Sequence, residues 1–308
     1  MMKRLLALLL CLLLLPTAVL AEEEEDLLVE DITYTQLPLD FSPGPEAPEA
    51  NYTIDPEGVS TYEDATISVR MERVEYMNDV YNVARVRIAD ASQLRTALSS
   101  NYKLGQKSMR LDRISTMAKN NNAIVAIGGD YFYNESKGIV VRQGETLRKT
   151  FKNKKFKTHL MVIDGKGDLH IILNQDANEL KALTEAEAGV MDVFDFGPAL
   201  VIDGKLQDIP STYSYNVRGH EPRCAIGQTG PLEYLLVVVD GRRSNSDGTS
   251  CEVLAHFMFE QGCIQAYNLD GGNSALMVFH NENYSNKTVK AERSVSDIIY
   301  FATALMSE

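Results

Sequence analysis

The chain has 308 residues, of which 43 are acidic and 30 are basic, so its formal net charge at pH 7 is −13. This balance argues against nucleic acid as a partner, because proteins that bind nucleic acids present a basic surface to the phosphates. The part of the chain that follows the N-terminal segments holds about 250 residues, which is enough for one sizeable domain with its own core.

The N-terminal segment has the pattern of a secretory signal peptide. Two basic residues precede an apolar run at residues 5–15, and Ala21 provides a small residue at the expected cleavage position. Pro16 and the acidic residues after Ala21 end the run too early for a membrane span. We therefore predict a signal peptide over residues 1–21. The protein should be secreted or exposed at the cell surface, and not an integral membrane protein after cleavage, with an uncleaved anchor as the alternative.

Residues 22–57 are acidic and rich in proline, a composition that favours a disordered spacer because too little apolar surface is available for burial. Residues 58–308 are then expected to form a single domain, with two smaller domains as the alternative. In chain order, the patterns predict strands at residues 67–77 and 80–88, a helix at 111–119, a strand at 123–127, hairpins at 138–147 and 159–173, a helix at 176–188, strands at 197–202 and 232–239, a helix at 249–261 and a closing strand at 295–304. These elements indicate an α+β fold, a mixed β-sheet with helices packed on it.

Residues 267–274, which read YNLDGGNS, are the strongest candidate for a functional site. Asp270 closes a short apolar run and is followed by Gly271 and Gly272, a pattern typical of a buried strand that ends in a tight turn. Glycine allows a backbone approach that a side chain would block, so a ligand can come close to the main chain beside the acid. A sharp turn without any functional role requires the same residues.

Three further stretches place charged residues at the edge of an apolar run. They read IGGDYF at residues 127–132, PRCAIGQ at 222–228 and LLVVVDGR at 235–242. Their charged residues are Asp130, Arg223, Asp240 and Arg242.

In this order, the stretches resemble the motifs of the phosphodiester glycosidase family. The matching segments are residues 127–132, 196–200, 222–227, 239–242, 246–252 and 268–274, and the resemblance extends over about residues 75–303. Two positions depart from the family pattern. Gly128 stands where the family has asparagine, which removes an amide that can bind a sugar hydroxyl, and Cys224 replaces a threonine.

The resemblance implies a hydrolase that removes a sugar from a sugar-1-phosphodiester, with Asp270 or Asp130 as base or nucleophile and Glu252 as a second acid. Arg223 and Arg242 are suited to bidentate contact with phosphate oxygens. Further candidate substrate contacts are Asp240, Gly128, Gly129, Gly271, Gly272, Ser274, Ser246 and His220. No cofactor is predicted, and no metal, because the histidines and cysteines form no close cluster.

Two other functions remain open at this stage: a non-catalytic glycan-binding protein on the same scaffold, and a phosphodiesterase that cuts the P–O bond. Glu252 also has a structural interpretation. With Thr249 as N-cap, Glu252 completes a capping box that opens the predicted helix at 249–261.

The chain after the predicted signal peptide contains three cysteines, Cys224, Cys251 and Cys263. An odd number leaves at least one thiol unpaired. A helix over residues 249–261 separates Cys251 from Cys263 by roughly 18 Å. This exceeds the limit of about 7 Å between Cα atoms for a disulfide, so that pairing is not expected.

Overall fold

The computed structural model describes residues 34–99, 110–152, 158–213, 215–288 and 291–305, all of which belong to one compact unit. The predicted signal peptide and the first part of the predicted spacer lie outside these residues. Within the described ranges, no helix combines the length and the apolar character needed to cross a membrane.

The described chain folds into 21 strands and three α-helices. The strands are β1 (Tyr52–Ile54), β2 (Ser60–Glu63), β3 (Ile67–Tyr76), β4 (Asp79–Ile88), β5 (Leu94–Leu98), β6 (Asp112–Arg113), β7 (Val125–Gly128), β8 (Gly138–Arg142), β9 (Glu145–Thr150), β10 (Leu160–Asp164), β11 (Leu169–Ile172), β12 (Val190–Phe194), β13 (Ala199–Ile202), β14 (Lys205–Leu206), β15 (Arg223–Gly230), β16 (Glu233–Val239), β17 (Gln265–Leu269), β18 (Met277–Phe279), β19 (Glu282–Asn283), β20 (Ser294–Val295) and β21 (Asp297–Phe301). The helices are α1 (Ile114–Asn120), α2 (Ala177–Glu185) and α3 (Cys251–Glu260).

The largest sheet has nine strands in the order β1-β2-β3-β4-β16-β15-β17-β13-β14. Two five-stranded sheets have the orders β11-β10-β12-β8-β9 and β19-β18-β7-β21-β5, and β20 pairs with β6. The predicted α+β class is confirmed. Every pairing among the described strands is antiparallel. Strands β16 and β17 run parallel to each other, but β15 lies between them and pairs with both.

The central strands of the nine-stranded sheet are buried on both faces. In β16, Leu236 and Val238 point into one apolar cluster, while Leu235 and Val237 point into a second. Helix α3 covers the second cluster with residues such as Leu254. A strand that is covered on both sides has no polar face, which explains why β16 reads as a continuous apolar run rather than as an alternating one.

Residues 34–57 differ from the predicted disordered spacer, because they are packed on the domain. Leu37 is buried, and the guanidinium of Arg95 donates hydrogen bonds of 3.0 Å to the carbonyls of both Pro38 and Ser42. Strand β1 then adds to the edge of the large sheet by pairing with β2. Ala47 and Tyr52 also pack against the core. These contacts involve main-chain groups and a few apolar side chains, so an acidic, proline-rich composition does not reveal them.

The N-cap of helix α3 lies one residue later than predicted. Its N-cap is Ser250, whose Oγ accepts a hydrogen bond of 3.2 Å from the backbone N–H of Val253. The predicted capping box of Thr249 and Glu252 is therefore wrong, and Glu252 is exposed in the first turn. All three described cysteines are buried and free, which confirms the expected unpaired thiol.

Candidate active site

Three of the sequence motifs meet where β7 and β17 end and β15 begins. The backbone N–H of Asp270, which follows β17, donates to the carbonyl of Gly129, which follows β7, over 3.2 Å. The N–H of Gly272 donates to the carbonyl of Pro222, just before β15, over 2.8 Å. Main-chain hydrogen bonds between the loops therefore hold the predicted site residues at one edge of the sheets.

Asp270 is partly buried at this edge and accepts a hydrogen bond from the side chain of Ser274. Burial is the main cause that raises the pKa of Asp270 from 3.8 to about 6. The Ser274 hydrogen bond and the positive charge of Arg293 oppose this rise, while the negative charge of Asp130 adds to it. A carboxyl group with such a pKa exchanges protons near neutral pH, which suits acid–base chemistry.

The glycines of the site allow close contacts within the protein itself. A Cβ atom on Gly129 would lie 2.5 Å from Oδ2 of Asp297, and one on Gly271 would lie 2.6 Å from the carbonyl oxygen of Pro222. Gly272 has a φ of +58°, and Gly128 lies within β7. Glycine is therefore needed at position 129 because the buried carboxylate of Asp297 lies so close, and at position 271 because the loop that holds Pro222 does.

Asp130 belongs to a buried ion-pair network rather than to an open surface. Its Oδ1 accepts from the N–H of Phe132 over 3.0 Å, and its Oδ2 accepts from the N–H of Asp195 over 3.0 Å. The same Oδ2 lies 3.1 Å from Nη2 of Arg142, whose Nε donates to Asp297 over 2.7 Å. Both oxygens are engaged, so the geometry favours a structural role for Asp130 over the predicted role as base or nucleophile.

Arg223 is also buried, at the start of β15. Its Nε donates to the carbonyl of Thr249 over 2.9 Å, and its Nη2 donates to the carbonyls of Asn216 and Gly219 over 2.8 Å each. Arg223 was predicted to contact phosphate, but these N–H groups already donate hydrogen bonds that connect the loop before β15 to the residues just before α3. The arrangement favours a structural role.

Arg242 lies at the rim of the site, where its side chain is 44% exposed. Its Nε donates to the carboxylate of Glu221 over 3.0 Å, and its Nη1 donates to Oδ1 of Asn273 over 2.7 Å. Arg242 thus remains a candidate for substrate contact, although Glu221 already neutralises its charge.

Asp240 and Ser246 are buried anchors of the neighbouring loop. Asp240 accepts from Nδ2 of Asn82 over 2.8 Å and from the N–H of Asn286 over 3.1 Å. The hydroxyl of Ser246 lies 3.0 Å from Oδ1 of Asp79 and 2.8 Å from the carbonyl of Asp240. These bonds shape the loop after β16, so the predicted substrate contacts by Asp240 and Ser246 find no support in the geometry. His220, by contrast, is exposed.

Two residues near Asp270 were not singled out by the sequence. The guanidinium of Arg293 lies 5.7 Å from the centroid of the Tyr131 ring, and its charge acts on Asp270. Tyr131 lies inside the predicted IGGDYF stretch, so its motif marked the position. Arg293 lies outside every motif, and the sequence carries no local signal for it.

Tyr215 and Glu135 form a second pair on loops that adjoin the site. The hydroxyl of Tyr215 donates to Oε1 of Glu135 over 3.2 Å. The ring of Tyr215 stacks on that of Phe196, with centroids 4.1 Å apart and nearly parallel planes. An aromatic ring beside a carboxylate is a common lining of carbohydrate sites, but in the part of the chain that the structure describes no hydrogen bond or ring contact joins this pair directly to Asp270.

The larger cavities of the described residues lie elsewhere. One of about 420 Å³ is bordered by Leu37 and Asp192, and one of about 460 Å³ by His170 and Leu183. The cavity that includes Ser274 and Arg293 has a volume of only about 10 Å³. The volume of a cavity does not by itself show that a reaction takes place there. We therefore place the candidate site at Asp270, where the motifs meet and a carboxyl group can exchange protons. No group of three or more histidine, cysteine or acidic residues among the described ones is arranged to hold a metal ion.

The fold and the site together define a family. A family model described as phosphodiester glycosidase matches residues 121–302, more than half of the chain, and the chain therefore belongs to this family. The resemblance seen in the motifs is confirmed. Membership supports a hydrolase that acts on sugar phosphodiesters.

One relative and two solved structures show how distant the similarity is. The chain is 27% identical over 191 residues to the SPbeta prophage-derived uncharacterized protein YomE of Bacillus subtilis (strain 168), and the match spans 61% of this chain but only 29% of that protein. The catalytic domain of the zebrafish N-acetylglucosamine-1-phosphodiester alpha-N-acetylglucosaminidase, auto-inhibited by its pro-peptide, superimposes with a TM-score of 0.61 at 17% identity, covering 77% of this chain and 83% of that chain. A hypothetical protein from Synechocystis has a TM-score of 0.51 at 15% identity, covering 79% and 63%. At such identities the structural matches show the fold alone.

Proposed function

We propose that this protein hydrolyses the glycosidic bond of a sugar-1-phosphodiester and that Asp270 acts as the base or nucleophile. The observation that carries the proposal is the partly buried Asp270, which titrates near neutral pH beside the cation Arg293 in a member of the phosphodiester glycosidase family. The other acids of the motifs are less available. Asp130 is held by Arg142, and Glu252 is exposed on α3.

The chemistry of the substrate matches a site with one such carboxylate. A phosphate diester is a weak base and leaves the anomeric carbon without much help from a general acid, so the heavier demands are activation of water and stabilisation of phosphate charge. At neutral pH, Asp270 with a pKa of about 6 is largely ionised. As a base it takes a proton from water, the water oxygen bonds to the anomeric carbon, and the bond from that carbon to the phosphate oxygen breaks. The products are a free sugar and a phosphate monoester.

Two further considerations support a choice of sugar and of the place where the substrate occurs. The zebrafish relative is named for N-acetylglucosamine-1-phosphodiester, so this sugar leads the set to be tested. The signal peptide predicted for residues 1–21 supports action outside the cytoplasm, on sugar phosphodiesters of extracellular or cell-surface polysaccharide.

The test is turnover of the α-linked methyl phosphodiesters of N-acetylglucosamine, glucose, galactose and mannose in water enriched in oxygen-18. Hydrolysis of the glycosidic bond places the label in the released sugar and leaves methyl phosphate unlabelled. Label in the phosphate would instead identify a phosphodiesterase. Saturable binding without release of sugar from any of the four would identify a glycan-binding protein. The Asp270→Asn variant controls for a contaminating hydrolase.

A further inference from the structure

Three of the described arginines near the site, Arg223, Arg242 and Arg293, differ in what they already bind. Arg223 is buried and donates to three carbonyls. Arg242 is paired with Glu221 and Asn273. A phosphate that binds to either guanidinium has to compete with these partners or disrupt the loops that they hold.

Arg293 is in a different situation. It immediately precedes β20, which pairs with β6 at the edge of the site, and its side chain is exposed. Its guanidinium lies over the face of the Tyr131 ring, at 5.7 Å from the guanidinium carbon to the ring centroid. Among the described residues, no hydrogen bond or ion pair occupies its N–H groups. The guanidinium therefore combines a partial anchor on an aromatic face with donors that are available to a ligand.

The position of Arg293 relative to Asp270 matches the geometry of the substrate. A single oxygen joins the phosphorus to the anomeric carbon, so a group that binds the phosphate must lie within a few ångströms of the carboxylate that acts on that carbon. Arg293 and Ser274 line the same small cavity, and the side chain of Ser274 donates a hydrogen bond to Asp270, so the guanidinium lies on the side of the site that holds this carboxylate. A guanidinium also suits a phosphate because two parallel N–H groups can bind two oxygens at once.

We propose that Arg293 binds the phosphate of the substrate and thereby selects phosphodiesters over neutral glycosides. This inference rests on the proposed function and reassigns the phosphate contact from Arg223 and Arg242, for which the sequence predicted it. Tyr131 positions the guanidinium, and Arg242 lines the rim.

The experiment compares Arg293→Gln, Arg293→Lys and the control Arg87→Gln with the wild-type protein. Arg87 is an exposed arginine on β4, opposite Glu233 at the far end of the sheet, so its variant removes the same charge away from the site. For each protein, kcat/KM is measured on the best methyl phosphodiester. The dissociation constants of methyl phosphate and of the neutral methyl glycoside of the same sugar are measured by calorimetry.

We expect Arg293→Gln to lower kcat/KM for the phosphodiester about a hundredfold and to weaken methyl phosphate binding about tenfold or more. Binding of the neutral glycoside should change less than about twofold. Arg293→Lys should recover part of the loss, and Arg87→Gln should behave as wild type. Because the charge of Arg293 lowers the pKa of Asp270, Arg293→Gln should also shift the acid limb of the pH–rate profile to higher pH, which a purely structural arginine would not do.

The outcomes separate this inference from the function on which it rests. If the wild-type protein releases sugar but Arg293→Gln binds methyl phosphate as well as wild type does, the phosphate contact lies elsewhere and only this inference fails. Equal weakening of methyl phosphate and of the neutral glycoside also overturns it, since that result indicates a general disturbance of the site. If the wild-type protein releases sugar from none of the phosphodiesters, the proposed function itself is wrong.

Discussion

Replacing Asp270 with asparagine should strongly reduce turnover and at the same time stabilise the folded protein at neutral pH. Burial raises the pKa of Asp270 from 3.8 to about 6, so the folded protein holds this proton more tightly than the unfolded chain does. The contribution of the protonated carboxyl to the free energy of unfolding is fully present below about pH 4 and is lost as the pH rises through about 6. At pH 7.5 the ionised carboxylate therefore lowers the free energy of unfolding, and asparagine removes that cost.

The magnitude follows from the size of the pKa change. A rise from 3.8 to about 6 corresponds to about 3 kcal/mol at 1.36 kcal/mol per unit, and partial solvent exposure of the carboxylate reduces the measurable effect to about 1–2 kcal/mol. For a domain of this size, the melting temperature should rise by about 2–8 °C. The oxygen of asparagine can still accept the hydrogen bond from Ser274, so that contact is kept. Loss of the base or nucleophile should reduce turnover about a hundredfold or more.

The assay measures thermal unfolding and turnover of the wild-type protein and of Asp270→Asn at pH 7.5 and pH 4. Asp247→Asn is the matched control, because Asp247 is exposed on the nearby loop. The Asn variant at position 270 should melt at a higher temperature than wild type at pH 7.5, and the difference should vanish at pH 4. A variant that is destabilised equally at both values would show that Asp270 has a structural role. Near wild-type turnover in a folded variant would refute the assignment of Asp270 to the chemistry.

Three further predictions test the environment of the site. The kcat/KM of the wild-type protein should fall as the pH is lowered through about 6, the pKa of Asp270, and a profile that is flat from pH 5 to pH 8 would contradict a basic role for its carboxylate. Arg223→Lys should lower the free energy of unfolding by about 2–4 kcal/mol in urea denaturation, because an ammonium cannot reproduce the bonds to three carbonyls; unchanged stability with lost turnover would instead restore Arg223 as a phosphate ligand. Gly129→Ala should lower the free energy of unfolding by about 1–3 kcal/mol, because its Cβ would lie 2.5 Å from the buried carboxylate of Asp297, and a melting temperature equal to that of wild type would show that Asp297 can move away.

Local patterns in the sequence were sufficient for the class of fold and for the family. The unbroken apolar run of β16 indicates that this strand is buried on both faces. Asp270 and the two glycines after it indicate the end of β17 and the turn that follows. Such features depend on the residues of one element and on its solvent exposure, so periodicity and turn chemistry reveal them. The six motifs added the family, because their order along the chain is specific even though each one is short.

The tertiary structure decided which polar side chains are available for chemistry. Asp130 and Arg223 stand at strand ends in the motifs, as Asp270 does. Yet Arg142 pairs with Asp130, and three carbonyls accept hydrogen bonds from Arg223. Arg293 has no motif but lines the same small cavity as Ser274, the hydrogen-bond partner of Asp270. The role of a charged side chain depends on partners that are remote along the chain. Burying the charge costs free energy of desolvation, which is offset only where those partners contact it in the folded protein. A local pattern does not contain that information.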